Sequence, residues 1–131
     1  MGSNTFDAEP FKPSPNHMLI VMTRHRDDYK HLEIPEQFEF TDESPLAIKT
    51  RFEKKGHQQM LVIGGPHVAT SFLEKQLIDE LWLTLEPKIF GNGSNFATGV
   101  NLDIDLRLLT IEKVNSQGTL ITKYAVLKTN G

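Results

Sequence analysis

The stretch that most limits what this chain can fold into runs Met60-Leu61-Val62-Ile63-Gly64-Gly65-Pro66-His67. A short apolar run rich in strand formers predicts a buried strand over 59–63. Two glycines close it, and Pro66 suits the first turn of a helix beginning at once. Val68, Phe72, Leu73 and Leu77 fall near helical spacing on one face of that helix. Glycine lets a ligand approach the backbone closely. The first amides of a helix have no internal partner. Together with the helix dipole they suit a phosphate or pyrophosphate. The same residues suit a tight strand-to-helix turn with no ligand, and the motif is neither G-x-G-x-x-G nor a P-loop.

On either side the pattern alternates between strand and helix. Residues 1–17, with Pro10, Pro13 and Pro15, read mostly as extended or looped. His17-Met18-Leu19-Ile20-Val21-Met22-Thr23 predicts a strand covered on both faces, and 24–30 a polar loop. Gln37-Phe38-Glu39-Phe40-Thr41 alternates at period two, as a half-buried strand does. Ser44 and Pro45 open a helix as N-cap and first-turn residue. Leu46, Ile48 and Phe52 are its apolar positions, Lys49, Arg51, Lys54 and Lys55 its solvated charges, and Gly56 its end. Residues 80–86 predict a strand closed by Pro87, with Trp82 in the core. Three glycines mark 89–101 as a long loop. Residues 106–114 and 119–127 predict two strands joined by Asn115-Ser116-Gln117-Gly118. The alternation implies parallel crossovers, and the hairpin implies an antiparallel edge on the same sheet. The fold class is α/β, a mostly parallel sheet flanked by helices.

The 131 residues suit one domain spanning 1–131. Fourteen Lys and Arg against seventeen Asp and Glu give a net charge of −3. That argues against nucleic acid as a partner, because phosphate neutralisation needs a basic surface. No apolar run approaches the roughly 20 residues of a membrane span, and the first residues lack a signal-peptide plan. Cysteine is absent, which excludes disulfides, thiolate nucleophiles and Cys-based zinc sites and fits a reducing cytoplasm. His17, His25, His31, His57 and His67 show no metal-ligand spacing, so no metal is expected. Asp79 and Glu80 are adjacent, cannot share a strand face, and read as a polar helix-to-strand junction.

The residues C-terminal to the glycine pair are more specific. Phe72-Leu73-Glu74-Lys75-Gln76-Leu77-Ile78-Asp79-Glu80-Leu81-Trp82-Leu83 leads to Glu86-Pro87-Lys88-Ile89-Phe90-Gly91-Asn92-Gly93. This linked run resembles the reductase domain of riboflavin biosynthesis, which has the dihydrofolate reductase fold. The likeness is close over 60–93 and looser through the hairpin to Leu127. Met1-Gly2-Ser3-Asn4-Thr5-Phe6 also resembles the Met-Gly-Arg-x-Thr-aromatic signature of dihydrofolate reductases. In that signature the Gly, the basic residue and the Thr sit at a helix start against the NADPH phosphates. The resemblance therefore implies an NADPH-dependent reductase of a small heterocyclic molecule, cytoplasmic and homo-oligomeric. It implies Gly64, Gly65, Pro66 and His67 around the pyrophosphate, with Gly2 and Thr5 behind them. It implies Thr23 and Arg24 near the adenosine 2′-phosphate, which a hydroxyl donor and a guanidinium suit. It also implies a cis bond between Gly64 and Gly65. Outside the resemblance, His67 reads as a partly exposed turn residue and Arg24 as a solvated loop cation.

Three departures bear on function. Ser3 stands where the signature has Arg, so one charge-assisted phosphate contact is missing. If Met1 is the signature Met, the fold's first strand and first helix are absent, and the domain is N-terminally incomplete. Those elements normally supply the nicotinamide platform and much of the substrate pocket. Ile63 stands where riboflavin reductases commonly carry Glu and dihydrofolate reductases an apolar residue. It draws the substrate toward a pterin, while 79–81 and 87–93 draw it back to the ribosylaminouracil. No catalytic residue is assigned. The alternative is a catalytically inactive remnant, an interaction module that dimerises through its C-terminal strands or an uncovered sheet edge.

Overall fold

Aromatic side chains decide where the N-terminal half collapses. The computed structural model describes residues 1–9 and 11–129, so the loop reading at Pro10 lies outside it. A short helix, α1 (Ser3–Ala8), precedes β1 (Leu19–Met22) and β2 (Phe38–Thr41). The two strands pair in parallel, from Leu19 opposite Phe38 to Met22 opposite Thr41. Leu19, Val21, Phe38 and Phe40 therefore share one face. Phe6 of α1 packs there, with its ring centroid 5.5 Å from those of both Phe38 and Phe40. Tyr29, delivered by the 3-10 turns between the strands, stacks on Phe40 at 4.7 Å. Met1, Phe6, Val21, Phe38 and Phe40 form the buried core. Such rings dominate the apolar burial of a small core.

Met1 and Gly2 extend along the other edge of β1. The Met1 ammonium donates to the Ile20 carbonyl at 2.9 Å, and the Met22 amide donates to the Met1 carbonyl at 2.7 Å. Helix α2 (Pro45–Lys54) begins as its sequence implies: the Ser44 hydroxyl accepts from the Ala47 amide at 3.2 Å. Its buried residues are Ile48 and Phe52. Helix α3 (Pro66–Glu74) starts directly after Gly65 and buries Ala69, Thr70, Phe72 and Leu73. The C-terminal third is an antiparallel sheet of β3 (Glu80–Leu85), β4 (Leu106–Lys113) and β5 (Leu120–Val126), in the order β3-β5-β4. The Asn115 side-chain oxygen accepts from the Gly118 and Thr119 amides, both at 3.1 Å, and closes the hairpin. The junction at Asp79 is tied to the end of β5: its carbonyl accepts from the Val126 amide and its carboxylate from Lys128. No helix among the described residues is long and apolar enough to cross a membrane.

Four local expectations are corrected. Residues 3–8 are helical rather than looped, because the prolines come only after Ala8 and Phe6 anchors the turn in the aromatic core. Residues 59–63 form no strand ladder, and Leu61 and Ile63 are 68% and 53% exposed. Apolar composition reports that a segment needs cover; it does not provide the neighbour. Without that ladder the strands fall into two sheets, β1-β2 and β3-β5-β4, rather than one. Trp82 is half exposed rather than core. Its indole N–H donates to Glu80 at 2.8 Å, and Lys123 Nζ stands 4.0 Å from the ring centroid.

Candidate functional site

Extended segments end side by side at one edge of the parallel pair. Gly2 bridges in parallel to Met22 at the end of β1 and donates its amide to the Gly64 carbonyl at 2.8 Å. Gly2 is thus wedged between β1 and the glycine pair. A Cβ there would stand 3.1 Å from Val68 Cγ2 and 3.9 Å from the Gly65 nitrogen. At Gly65 a Cβ would stand 3.1 Å from Thr5 Oγ1, so α1 and the start of α3 approach across a missing side chain. Gly64 has φ +115°, which L side chains rarely adopt, and a Cβ there would meet nothing within 4 Å. The Gly64–Gly65 bond is cis. Among the described residues, none lies within 4 Å of where a Gly64 side chain would begin.

The start of α3 carries amide donors with no partner among the described residues. Gly65 is the N-cap and no side chain caps the helix. Pro66, at the first position, has no N–H. The Ala69 amide makes the first intrahelical bond, to the Gly65 carbonyl at 2.9 Å. The His67 and Val68 amides precede it and sit at the positive end of the dipole. The His67 side chain is exposed in this first turn and Pro66 is half-buried. Gly2, Thr5, Gly64, Gly65, Pro66 and His67 therefore meet at one corner, and their donors suit an anionic group.

Thr23 and Arg24 lie at the end of β1, beside Gly2. Thr23 is buried, its amide donates to the Thr41 carbonyl at 2.9 Å, and its hydroxyl accepts from the His25 amide at 3.0 Å. That leaves the hydroxyl proton for another acceptor. Arg24 is exposed and makes no ion pair among the described residues. Strand β2 ends in the same way: the Thr41 hydroxyl accepts from the Glu43 amide at 3.1 Å and donates to Glu43 Oε1 at 2.9 Å.

Arg51, expected as a solvated helix charge, is instead half-buried and clamps this end of β2. Its Nε donates to Glu43 Oε2 at 3.2 Å, its Nη2 to Glu43 Oε1 at 2.6 Å, and the same Nη2 reaches Glu39. The period-two pattern held the signal. Glu39 and Thr41 alternate with Phe38 and Phe40, so they face away from the aromatic core, toward the clamp from α2. The hydrogen bond to Glu39 raises the Arg51 pKa; burial opposes it and Glu43 adds to it. Burial pushes the Glu43 carboxyl up, but hydrogen bonds from Arg51 and Thr41 and the Arg51 charge outweigh it, leaving it below its usual value. A groove of about 210 Å³ lined by Leu73, Ile78, Leu102, Ile104 and Val126, among others, includes no residue of the glycine corner.

The fold and this corner define a class: an α/β domain of dihydrofolate reductase-like fold, with a strand–Gly-Gly–helix junction at the end of its parallel strands. The chain belongs to the RibD C-terminal domain family, a reductase-like family of riboflavin biosynthesis, which it matches over residues 6–120. Among solved structures it is similar to a protein of Shewanella sp. PV-4 provisionally named for riboflavin biosynthesis. The two are 21% identical with a TM-score of 0.76, over 98% of this chain and 72% of that one. A pyrimidine reductase-like protein of Corynebacterium diphtheriae is 19% identical with a TM-score of 0.66, over 95% of this chain and 57% of that one. Acinetobacter baumannii RibD is 15% identical with a TM-score of 0.58, over 82% of this chain and 31% of that one. At such identities the likeness carries the fold alone. No curated protein sequence matches the chain.

Proposed function

We propose that the chain is an NADPH-dependent reductase of the riboflavin-biosynthesis type, acting on 5-amino-6-(5-phosphoribosylamino)uracil. The observation that carries this reading is the start of α3, uncapped by any side chain, directly after Gly64, where a Cβ would meet nothing within 4 Å. Backbone bare of side chains beside unpaired amides is what a diphosphate needs. NADPH supplies a hydride when bound. The residues of the chain bind and orient it. The His67 and Val68 amides face the pyrophosphate, and Gly64 allows close approach. The Thr23 hydroxyl donates to the 2′-phosphate, and Arg24 adds charge and a second set of donors. No proton donor is assigned.

Two observations keep second readings in play. Ile63 is apolar where a riboflavin reductase commonly has Glu, which favours a pterin substrate. The β3-β5-β4 sheet leaves Leu83, Leu85, Leu106, Leu108 and Ile111 exposed, and an exposed apolar patch marks an interaction surface. That favours a homo-oligomer, or an inactive interaction module.

Titration of the protein with NADPH and with NADH, monitored by cofactor fluorescence, tests the reading. Saturable binding with a clear preference for NADPH is expected, and Arg24→Ala weakens NADPH selectively. Absence of binding at millimolar cofactor leaves the interaction module.

A further inference from the structure

We infer that the segment 90–97 covers the dinucleotide at the start of α3, and that Thr70 is the residue that positions it there. The inference rests on the proposed cofactor site and adds a further part to it.

The path of the chain carries it. Between β3 and β4, residues 89–104 make no backbone-to-backbone hydrogen bond among the described residues. The end of this stretch lies along α3: Asn101, Leu102, Asp103 and Ile104 line one groove with Leu73 and Ile78. Its middle is held at the first turn of the same helix, where the Thr98 amide donates to Thr70 Oγ1 at 2.8 Å. Thr70 is buried, and its hydroxyl donates to the Pro66 carbonyl at 2.7 Å. Two hydrogen bonds in series therefore separate Thr98 from the first residue of α3. The chain follows the helix onward from that turn, and residues 90–97 lead into it, at the end where the His67 and Val68 amides stand.

The residues that lead in suit a cover. A loop longer than about 12–15 residues with no secondary structure of its own is commonly a lid or a binding loop. Phe90 is 73% exposed and Phe96 52%, and the side chains become half-buried only at Ala97 and Thr98, where the segment is held. Between the two rings, Asn92, Ser94 and Asn95 are exposed and carry amide and hydroxyl donors, groups from which an anionic ligand accepts. Rings laid over the ligand exclude water from it. Thr70 touches Thr98 and Pro66, not the ligand, so it is a positioning residue. Valine matches its shape, has no hydroxyl, and leaves the Thr98 amide without its acceptor; serine keeps both bonds. Ser71 serves as a control on the same helix, because its hydroxyl donates to the Val68 carbonyl at 2.7 Å and makes no bond to the segment.

The test combines NADPH titration by cofactor fluorescence with limited chymotrypsin digestion, the cleavage sites being read by mass spectrometry. It compares the wild-type chain, Thr70→Val, Thr70→Ser, Ser71→Ala and Phe90→Ala/Phe96→Ala. In the wild-type chain NADPH slows cleavage after Phe90 and Phe96. Thr70→Val speeds cleavage after Phe96 without cofactor and raises the NADPH dissociation constant about threefold to tenfold, the worth of one hydrogen bond. Thr70→Ser and Ser71→Ala leave both readings near wild type. The double Phe variant, altered only at exposed positions, keeps the wild-type Tm and weakens NADPH about threefold to tenfold, as partial burial of a ring implies; it needs no Thr70 variant to fold. Cleavage after both Phe residues that is as fast with bound NADPH as without it, or a double Phe variant that binds NADPH like the wild type, overturns the cover and leaves the cofactor site standing. A Thr70→Val chain that binds NADPH no worse than Ser71→Ala overturns the positioning role. A wild-type chain that binds no NADPH overturns the underlying cofactor site instead, and the inference with it.

Discussion

A methyl group placed on Gly65 probes the joint between α1 and the glycine turn. The backbone there has φ −74°, open to any residue, so alanine meets no left-handed strain. Its Cβ would stand 3.1 Å from Thr5 Oγ1, a few tenths of an ångström inside ordinary contact. Two effects oppose each other. Loss of glycine's freedom in the unfolded chain stabilises by about 0.4–1 kcal/mol. Overpacking against the Thr5 hydroxyl costs about 1–3 kcal/mol. The second wins, and Gly65→Ala loses about 1–2 kcal/mol, roughly 3–6 °C in Tm for a domain of this size. Thr5→Ala removes the obstruction. In that background Gly65→Ala is neutral or slightly stabilising, so the double-mutant cycle gives a coupling of about 1 kcal/mol or more. Urea unfolding monitored by circular dichroism measures all four proteins. A coupling below about 0.3 kcal/mol, the scatter of independent sites, refutes the close approach of Thr5 to the turn.

Other perturbations read other parts of the fold. Phe40 is 1% exposed among Phe6, Phe38 and Tyr29, so Phe40→Ala costs about 3–5 kcal/mol and lowers the urea midpoint. Ser44→Ala removes the hydroxyl that accepts from the Ala47 amide and costs about 1 kcal/mol, read as a fall in Tm. Glu43 has a folded pKa below its unfolded one. Its stabilising contribution is complete above the unfolded carboxyl pKa of about 4.3 and is lost as pH falls through the lower folded value. Glu43→Gln therefore flattens the acid limb of a stability-against-pH curve; an unchanged limb refutes the Arg51 clamp.

Local patterns are legible wherever one neighbour or one turn decides the structure. Ser44-Pro45 caps a helix from within four residues. The Asn115 to Gly118 turn closes on its own side-chain oxygen. Phe38 and Phe40 reveal a buried face by spacing alone. Residues 59–63 escape such a reading because an apolar run states a demand for cover, and the segment has no ladder to supply it. Trp82 escapes it for a related reason. Its size suggests the core, yet Glu80 and Lys123 beside it give the indole polar company at the surface.

The candidate site divides along the same line. Sequence alone determined that a glycine pair sits between an apolar run and a helix start, and the structure shows Gly64 using its freedom at φ +115°, which L side chains rarely adopt. It also determined an uncapped helix start, since neither Gly65 nor Pro66 offers a capping side chain. The resemblance implied Gly2 and Thr5 behind that pair; only the tertiary structure supplied the contacts, Gly2 against Val68 and the Gly64 carbonyl and Thr5 against Gly65. Only it decided that Arg51 leaves solvent to hold two carboxylates. Those arrangements depend on which segments become neighbours, a property of packing over long separations that no local period encodes.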